Sequence, residues 1–193
     1  AALARPWPAT RCDMLNEPMG RFFPSEYRVK WATQDWELRQ MWALRQAVFC
    51  EEQGVFQGDD RDGVDAVATP IVAVACLGGI PDRVVGTVRI HQAEPGVWWG
   101  SRLAVDLDYR RQGNLGAALI RLAVCSAHAR GCRTFLAQVQ SRNVPLFRRL
   151  HWCSLEEITL HGRPHHLMQA DLDWYPPCAD GAAGLVATGR LAA

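Results

Sequence analysis

Between Val97 and Ala129 the chain changes period once, within a few residues. Val-Trp-Trp-Gly-Ser-Arg-Leu-Ala-Val (97–105) reads as a strand. Leu115, Leu119, Leu122 and Ala123, with Cys125 and Ser126, then recur at helical spacing up to a stop near Gly131. The junction is Asp-Leu-Asp-Tyr followed by Arg-Arg-Gln-Gly-Asn-Leu-Gly (110–116). A helix start leaves several backbone N–H groups without partners and carries positive dipole charge. Gly113 and Gly116 let an anionic diphosphate approach that backbone, and Arg110 and Arg111 bring mobile positive charge to its mouth. The bland alternative is a plain loop-to-helix turn. The pattern lacks the Lys-Ser/Thr of a P-loop, and no Gly-x-Gly-x-x-Gly follows a first strand, so nucleotide and dinucleotide sites of those kinds are disfavoured.

The rest of the chain organises around that junction. Residues 1–25, with Trp7, Phe22, Phe23 and several prolines, read as an extended lead-in. Tyr27, Val29 and Trp31 alternate in a first strand, and Trp36, Met41, Leu44, Val48 and Phe49 predict an amphipathic helix from Gln34 to Glu51. A polar stretch with Asp59, Asp60, Asp62 and Asp65 follows. Pro70–Leu77 and Val84–Ala93 form a hairpin leading to the Val97 strand. After the long helix come a strand over Thr134–Gln140, a short helix over Asn143–His151, and strands over Leu155–Leu160 and His165–Leu172. One domain spans 26–175, and the Ala/Gly-rich residues 176–193 read as a loose tail. This order implies an α/β (α+β) fold on one mixed sheet.

A net charge of +1 gives no field to gather nucleic acid or an anionic membrane, and no apolar run is long enough for a membrane span. The cysteine count of 7 is odd, no pair has C-x-x-C spacing, and several cysteines sit in apolar runs. With no signal-peptide pattern at the start, the expectation is a reducing, cytoplasmic setting.

Three stretches, in order, resemble the GNAT N-acetyltransferase superfamily over roughly residues 26–173. Arg102-Leu-Ala-Val-Asp-Leu-Asp-Tyr-Arg-Arg-Gln-Gly is similar to its central acyl-CoA motif. Arg45-Gln-Ala-Val-Phe-Cys-Glu-Glu-Gln resembles an R-x-x-V-F-x-x-E-Q segment of a subgroup, and Asn143-Val-Pro-Leu-Phe-Arg-Arg-Leu-His-Trp the family's N-x-x-x-x-Y-x-x-x-G-F. Within that superfamily the chain resembles a bacterial subfamily encoded beside nitrilase-type genes. The resemblance implies a mostly antiparallel sheet, splayed between its fourth and fifth strands, with flanking helices. It implies acetyl-CoA as co-substrate and no metal. The main chain of Leu103, Ala104 and Val105 would hold the pantetheine arm and polarise the acyl carbonyl. Arg110, Arg111, Gln112, Gly113, Asn114, Leu115 and Gly116 would take the diphosphate, and Asn143 and Phe147 would flank the coenzyme arm. The acceptor would be a primary amine of a small molecule attacking directly, and a homodimer or a partner enzyme of the same pathway would be in keeping.

Two departures bear on chemistry. Leu115 occupies the second small position of the family's Arg/Gln-x-x-Gly-x-Gly/Ala. Phe147 stands where many members carry a tyrosine that protonates the leaving thiolate, and phenylalanine has no proton to give. No carboxylate lies in 97–105, so the candidate bases are Glu94, His91 and the Glu51/Glu52 pair. His161, His165 and His166 resemble a metal cluster, but neighbours on a strand point to opposite faces, which argues against one shared ion. The aspartates of 59–65 lack the glycine and terminal glutamate of a calcium loop. They read as a solvated acidic loop, with a role in attracting a cationic amine as the functional alternative. A sensor that binds acyl-CoA without turnover is the rival from a different class. Acyl-homoserine-lactone synthesis, suggested by the R-x-x-V-F-x-x-E-Q segment, would need an S-adenosylmethionine site that no residue marks.

Overall fold

The computed structural model describes residues 23–112 and 114–189; Gly113 and nearly all of the lead-in lie outside the described residues. The elements are β1 (Glu26–Trp31), α1 (Asp35–Arg45), β2 (Thr69–Leu77), β3 (Ile80–Glu94), β4 (Val97–Val105), α2 (Leu115–Ala129), β5 (Thr134–Gln140), α3 (Val144–Arg149), β6 (Trp152–Leu160), β7 (Arg163–Ala170) and β8 (Leu185–Thr188). They build one mixed sheet in the order β6-β7-β5-β4-β3-β2-β1-β8. Neighbours run antiparallel except β4 and β5, which are parallel because α2 carries the chain back across the sheet between them.

Alternation along the central strands sends side chains to two separate cores. Ile71, Ala73 and Ala75 of β2 face α2, with Leu115, Leu119 and Leu122 of that helix. Val72 and Val74 face the other way, against Met41 and Leu44 of α1 and against Val48 and Phe49 beyond it. Gly86 lets α2 come close: a Cβ there would lie 2.9 Å from Leu119 Cδ1. Leu119 is wholly buried, so its truncation to alanine costs about 2–5 kcal/mol.

Two expectations need correction. The first helix does not run evenly to Glu51. α1 stops at Arg45, and Gln46–Glu52 continues as a π-helix, with Gln53 N–H donating to Val48 O at 3.0 Å. Apolar spacing alone does not reveal that wider turn, which is often found at functional sites. The chain beyond 175 is also not wholly loose, because Leu185–Thr188 pairs antiparallel with Val29–Glu26 and covers what would be the open edge of β1. Four residues are too few to show a period against an Ala/Gly-rich background.

Candidate active site

The site begins where two parallel strands part. β4 and β5 pair from Val97↔Thr134 only as far as Gly100↔Ala137. Beyond that point β5 stays paired with β7, and β4 stays paired with β3, so a wedge opens between them. On the β3 side, Thr87↔Ala104 and Arg89↔Ser101 leave two residues of β4, Arg102 and Leu103, against Val88 alone. This is a β-bulge, and its Arg102 takes φ 55°, a left-handed conformation that costs a branched-out L residue free energy.

That conformation is held by charge. Arg102 Nε donates to Asp60 Oδ2 at 2.9 Å, its Nη2 to Asp60 O at 2.8 Å and to Asp62 Oδ2 at 3.1 Å. Arg45 Nε donates to the same Asp60 oxygen at 2.8 Å, and its Nη1 to Asp65 Oδ1 at 2.7 Å. Arg89 clamps Asp62 through two bonds of 2.7 and 2.8 Å and donates its Nε to Ser101 Oγ at 2.9 Å. Three arginines thus neutralise three aspartates, with Arg45 and Asp60 each only 1% exposed at the side chain. The expected solvated acidic loop is corrected in part: Asp60 is buried and Asp65 half-buried against arginines, and Asp62, 39% exposed at the side chain, is paired with Arg89 and Arg102, whereas Asp59 stays exposed beside Arg61. The hydrogen bonds from Arg89 lower the Asp62 pKa. Burial acts to raise that of Asp65, but hydrogen bonds from Arg45 and Arg89 override it and hold the carboxyl well below the usual range.

The wedge is the floor of a cavity of about 370 Å³. On the α1 side its wall carries His91, Arg89, Ser101, Trp99 and Gln140. Above them the loop after the π-helix meets the β6–β7 turn. Phe56 packs edge-on against His161 at 5.2 Å, Arg163 Nη2 donates to Gln53 O at 2.6 Å, and Gln140 Nε2 to Gln53 Oε1 at 3.1 Å. His91 Nδ1 is buried and has no hydrogen-bond partner. Burial, then the nearby Arg89 charge, depress its pKa, which keeps the imidazole neutral at pH 7.

The residues read from sequence divide accordingly. His91, Leu103, Asn143 and Phe147 line the cavity, whereas Glu94 is exposed at the far end of β3, opposite Val97, and outside it. Ala104 turns into the α1 core, and Val105 packs on the α2 core. At the start of α2, Asn114 takes φ 49° and gives no side-chain cap, and Gly116 faces open space. Both features leave room for an anion. Arg111 is exposed there, but Arg110 is not a loose cation. Its Nε donates to Val105 O at 3.1 Å and its Nη1 to Glu52 Oε1 at 2.8 Å, which lowers the Glu52 pKa. Glu52 is therefore tied up rather than available as a base. His165 reaches the cavity, while His166 bonds Ser154 Oγ at 2.8 Å. Sequence reasoning missed the roles of Arg45, Arg89 and Arg102. The one signal was a pair of arginines set into otherwise buried strands, where an unpaired cation is not tolerated.

Comparison with known proteins agrees with this geometry. The profile described as the acetyltransferase (GNAT) family matches residues 17–152. No curated protein matches the chain in sequence. Among solved structures, one from Lactobacillus plantarum assigned as an N-acetyltransferase superposes with a TM-score of 0.66 at 22% identity, covering 75% of this chain and 97% of its own. An acyl-CoA N-acyltransferase from Pseudomonas aeruginosa gives 0.60 at 20% identity, with 75% and 99% covered. BjaI, a CoA-dependent acyl-homoserine lactone synthase with SAM and isopentyl-CoA, gives 0.56 at 18% identity, with 68% and 74% covered. At these identities the likeness is one of fold.

Proposed function

Because this chain belongs to the GNAT acetyltransferase family, and so to the acyltransferases, we propose that it transfers an acetyl or other short acyl group from coenzyme A to the primary amine of a small molecule. The observation that carries this reading is the wedge between β4 and β5, with a polar wall on one side and an uncapped helix start nearby. Backbone N–H groups at the start of α2, from Gly116 on, take the diphosphate, helped by Arg111. Asn143, where β5 ends, flanks the coenzyme arm. Main-chain groups of Leu103 and Val105, on the stretch of β4 that lacks a β5 partner, hold the arm and stabilise negative charge on the acyl oxygen.

The amine reaches the thioester carbon from the α1 side. As the new C–N bond forms, the imidazole of His91, which lines the cavity and is kept neutral by burial, takes the proton. The C–S bond then breaks, and the thiolate leaves without an acid from Phe147, whose ring is buried edge-on to Trp152 at 5.0 Å. It collects its proton from water. Among the candidates His91 is preferred because Glu94 stands outside the cavity, Glu51 is exposed and does not line it, and Glu52 is engaged by Arg110. The missing tyrosine also motivates a second reading, a domain that binds acyl-CoA without turning it over.

Thiol release from acetyl-CoA against a panel of small amines tests both. Release dependent on one amine class, and lost in His91→Asn, supports the enzyme. Saturable CoA binding with no release on any amine supports the sensor. The setting is expected to be cytoplasmic, and no helix among the described residues is long and apolar enough to cross a membrane.

A further inference from the structure

The cavity at the wedge touches both hydrophobic cores. Phe49 and Phe56 belong to the α1 side of the sheet, whereas Ile120, Ala123, Phe135, Phe147 and Trp152 belong to the α2 side. A continuous space can pass from one face of a sheet to the other only where strands share no ladder of hydrogen bonds. The parting of β4 and β5 after Gly100↔Ala137 is that place. The last paired residues are small, and the Phe135 ring packs so close to Gly100 that a Cβ there would lie 3.0 Å from it.

The two halves differ in chemistry. All the charged side chains that line the cavity, Asp62, Arg89, Arg102 and Arg142, come from β3, β4, the loop before β2 or the turn after β5. The half behind the wedge is built from apolar groups of α2, β5, α3 and β6. Its one nitrogen, Trp152 Nε1, is already bonded to Tyr175 Oη at 3.0 Å. Phe135 and Phe147 both meet the Trp152 ring edge-on, at 5.7 and 5.0 Å, which fixes the chamber wall rather than leaving it free to collapse. An amine placed there would lose its hydration with nothing in return. The cavity as a whole, about 370 Å³, is far larger than an acetyl group, and apolar space left unfilled on binding forgoes favourable contacts.

We propose that the preferred donor is a CoA thioester of a medium-length aliphatic acid, with its chain passing through the wedge into the chamber bounded by Ile120, Ala123, Phe135, Phe147 and Trp152. This rests on the acyltransferase reading above and sharpens its acyl group. The carbonyl stays at the β4 bulge, the amine attacks from the polar half, and the chain occupies the apolar half. The two substrates therefore never compete for one space. Ile120 and Ala123 lie one helical turn apart on α2, so they act as specificity residues setting how far the chain can reach.

The test is a series of acetyl-, butyryl-, hexanoyl-, octanoyl- and decanoyl-CoA on the full chain. It is read both as Kd by calorimetry without acceptor and as kcat/KM with whichever amine the panel yields. Affinity relative to free CoA is expected to rise about fourfold per methylene up to an optimum beyond acetyl, then to fall. Ala123→Leu is expected to lower the hexanoyl-to-acetyl ratio at least about tenfold, and Ala123→Val, a smaller change, by less. If the leucine variant fails to fold, the wild-type series and the valine variant still decide. Free CoA binding as tightly as hexanoyl-CoA, with acetyl the best donor, overturns the chamber and leaves the acyltransferase reading standing. No saturable binding of CoA or of any thioester overturns both.

Discussion

Replacing Asp60 by asparagine keeps the shape of the side chain and removes its charge. In the wild type one oxygen, Asp60 Oδ2, accepts from Arg45 Nε at 2.8 Å and from Arg102 Nε at 2.9 Å, with the Asp60 and Arg45 side chains each 1% exposed. The network balances three arginines with three aspartates, so Asp60→Asn leaves one buried positive charge uncompensated. Breaking one partner of a buried pair costs about 3–5 kcal/mol. Asp65 still neutralises Arg45, and the Asp60 carbonyl still accepts from Arg102, so the lower end, about 3 kcal/mol, is expected. At this size each kcal/mol moves Tm by about 2–4 °C, which gives a fall of about 6–12 °C by near-UV circular dichroism or calorimetry. Because the same change releases the β4 bulge, the KM for acyl-CoA should rise as well, even well below the melting range. A Tm within 2 °C of wild type would refute the claim that this network carries the bulge. A double-mutant cycle with Arg102→Gln should return a coupling above about 1 kcal/mol, because the two side chains touch directly.

Gly116→Ala should raise stability slightly, by up to about 1 kcal/mol, because it lies in the first turn of α2 with open space around the new Cβ. The same methyl intrudes on the diphosphate site, so CoA affinity by calorimetry should fall, and an affinity that stays level or rises along with stability would discredit the site. His91 has its pKa depressed by burial, so the acid limb of a kcat/KM–pH profile should lie below about pH 6.5 and vanish in His91→Asn. Asp62 and Asp65 have folded pKa values held below the ordinary aspartate value. Their stabilisation is fully present above about pH 4 and is lost as pH falls through the folded values. Urea midpoints should first decline as pH falls below about 6.5, where the depressed pKa of His91 makes the unfolded chain bind the proton more readily, and should then drop further beneath about pH 4. Asp65→Asn should flatten that drop.

Much of the framework was legible locally. Val97–Val105 and Thr134–Gln140 follow the bounds read from alternation, and α2 begins at Leu115, the residue where the helical spacing starts. Each of those elements writes its period into consecutive residues. The acidic loop was misread for the opposite reason. Four aspartates in a glycine-bearing stretch look solvated, and their partners lie far along the chain: Arg45 is 15 residues from Asp60, and Arg102 is 42. No window of sequence contains both halves of such a pair. The Arg-Arg-Gln-Gly junction stands out in the sequence, but the bond between Arg110 and Glu52, 58 residues apart, is not legible there.

The choice of arginine at position 102 ties these observations together. A left-handed residue in a bulge would be relieved by glycine, since an L side chain there costs about 1–3 kcal/mol. The chain instead keeps a side chain that reaches Asp60 and Asp62 and lies over the Phe56 ring at 4.4 Å. The strain is offset by the ion pairs, and the pairing fixes in one place the bulge, the loop before β2 and the aromatic roof. Of the three arginines in the polar half of the cavity, Arg89 and Arg102 are spent on aspartates, whereas Arg142 is exposed. A wall whose charges are balanced this way suits the proposed reaction, because the amine attacks only in its neutral form and the His91 imidazole is held neutral to receive the proton that the new bond releases.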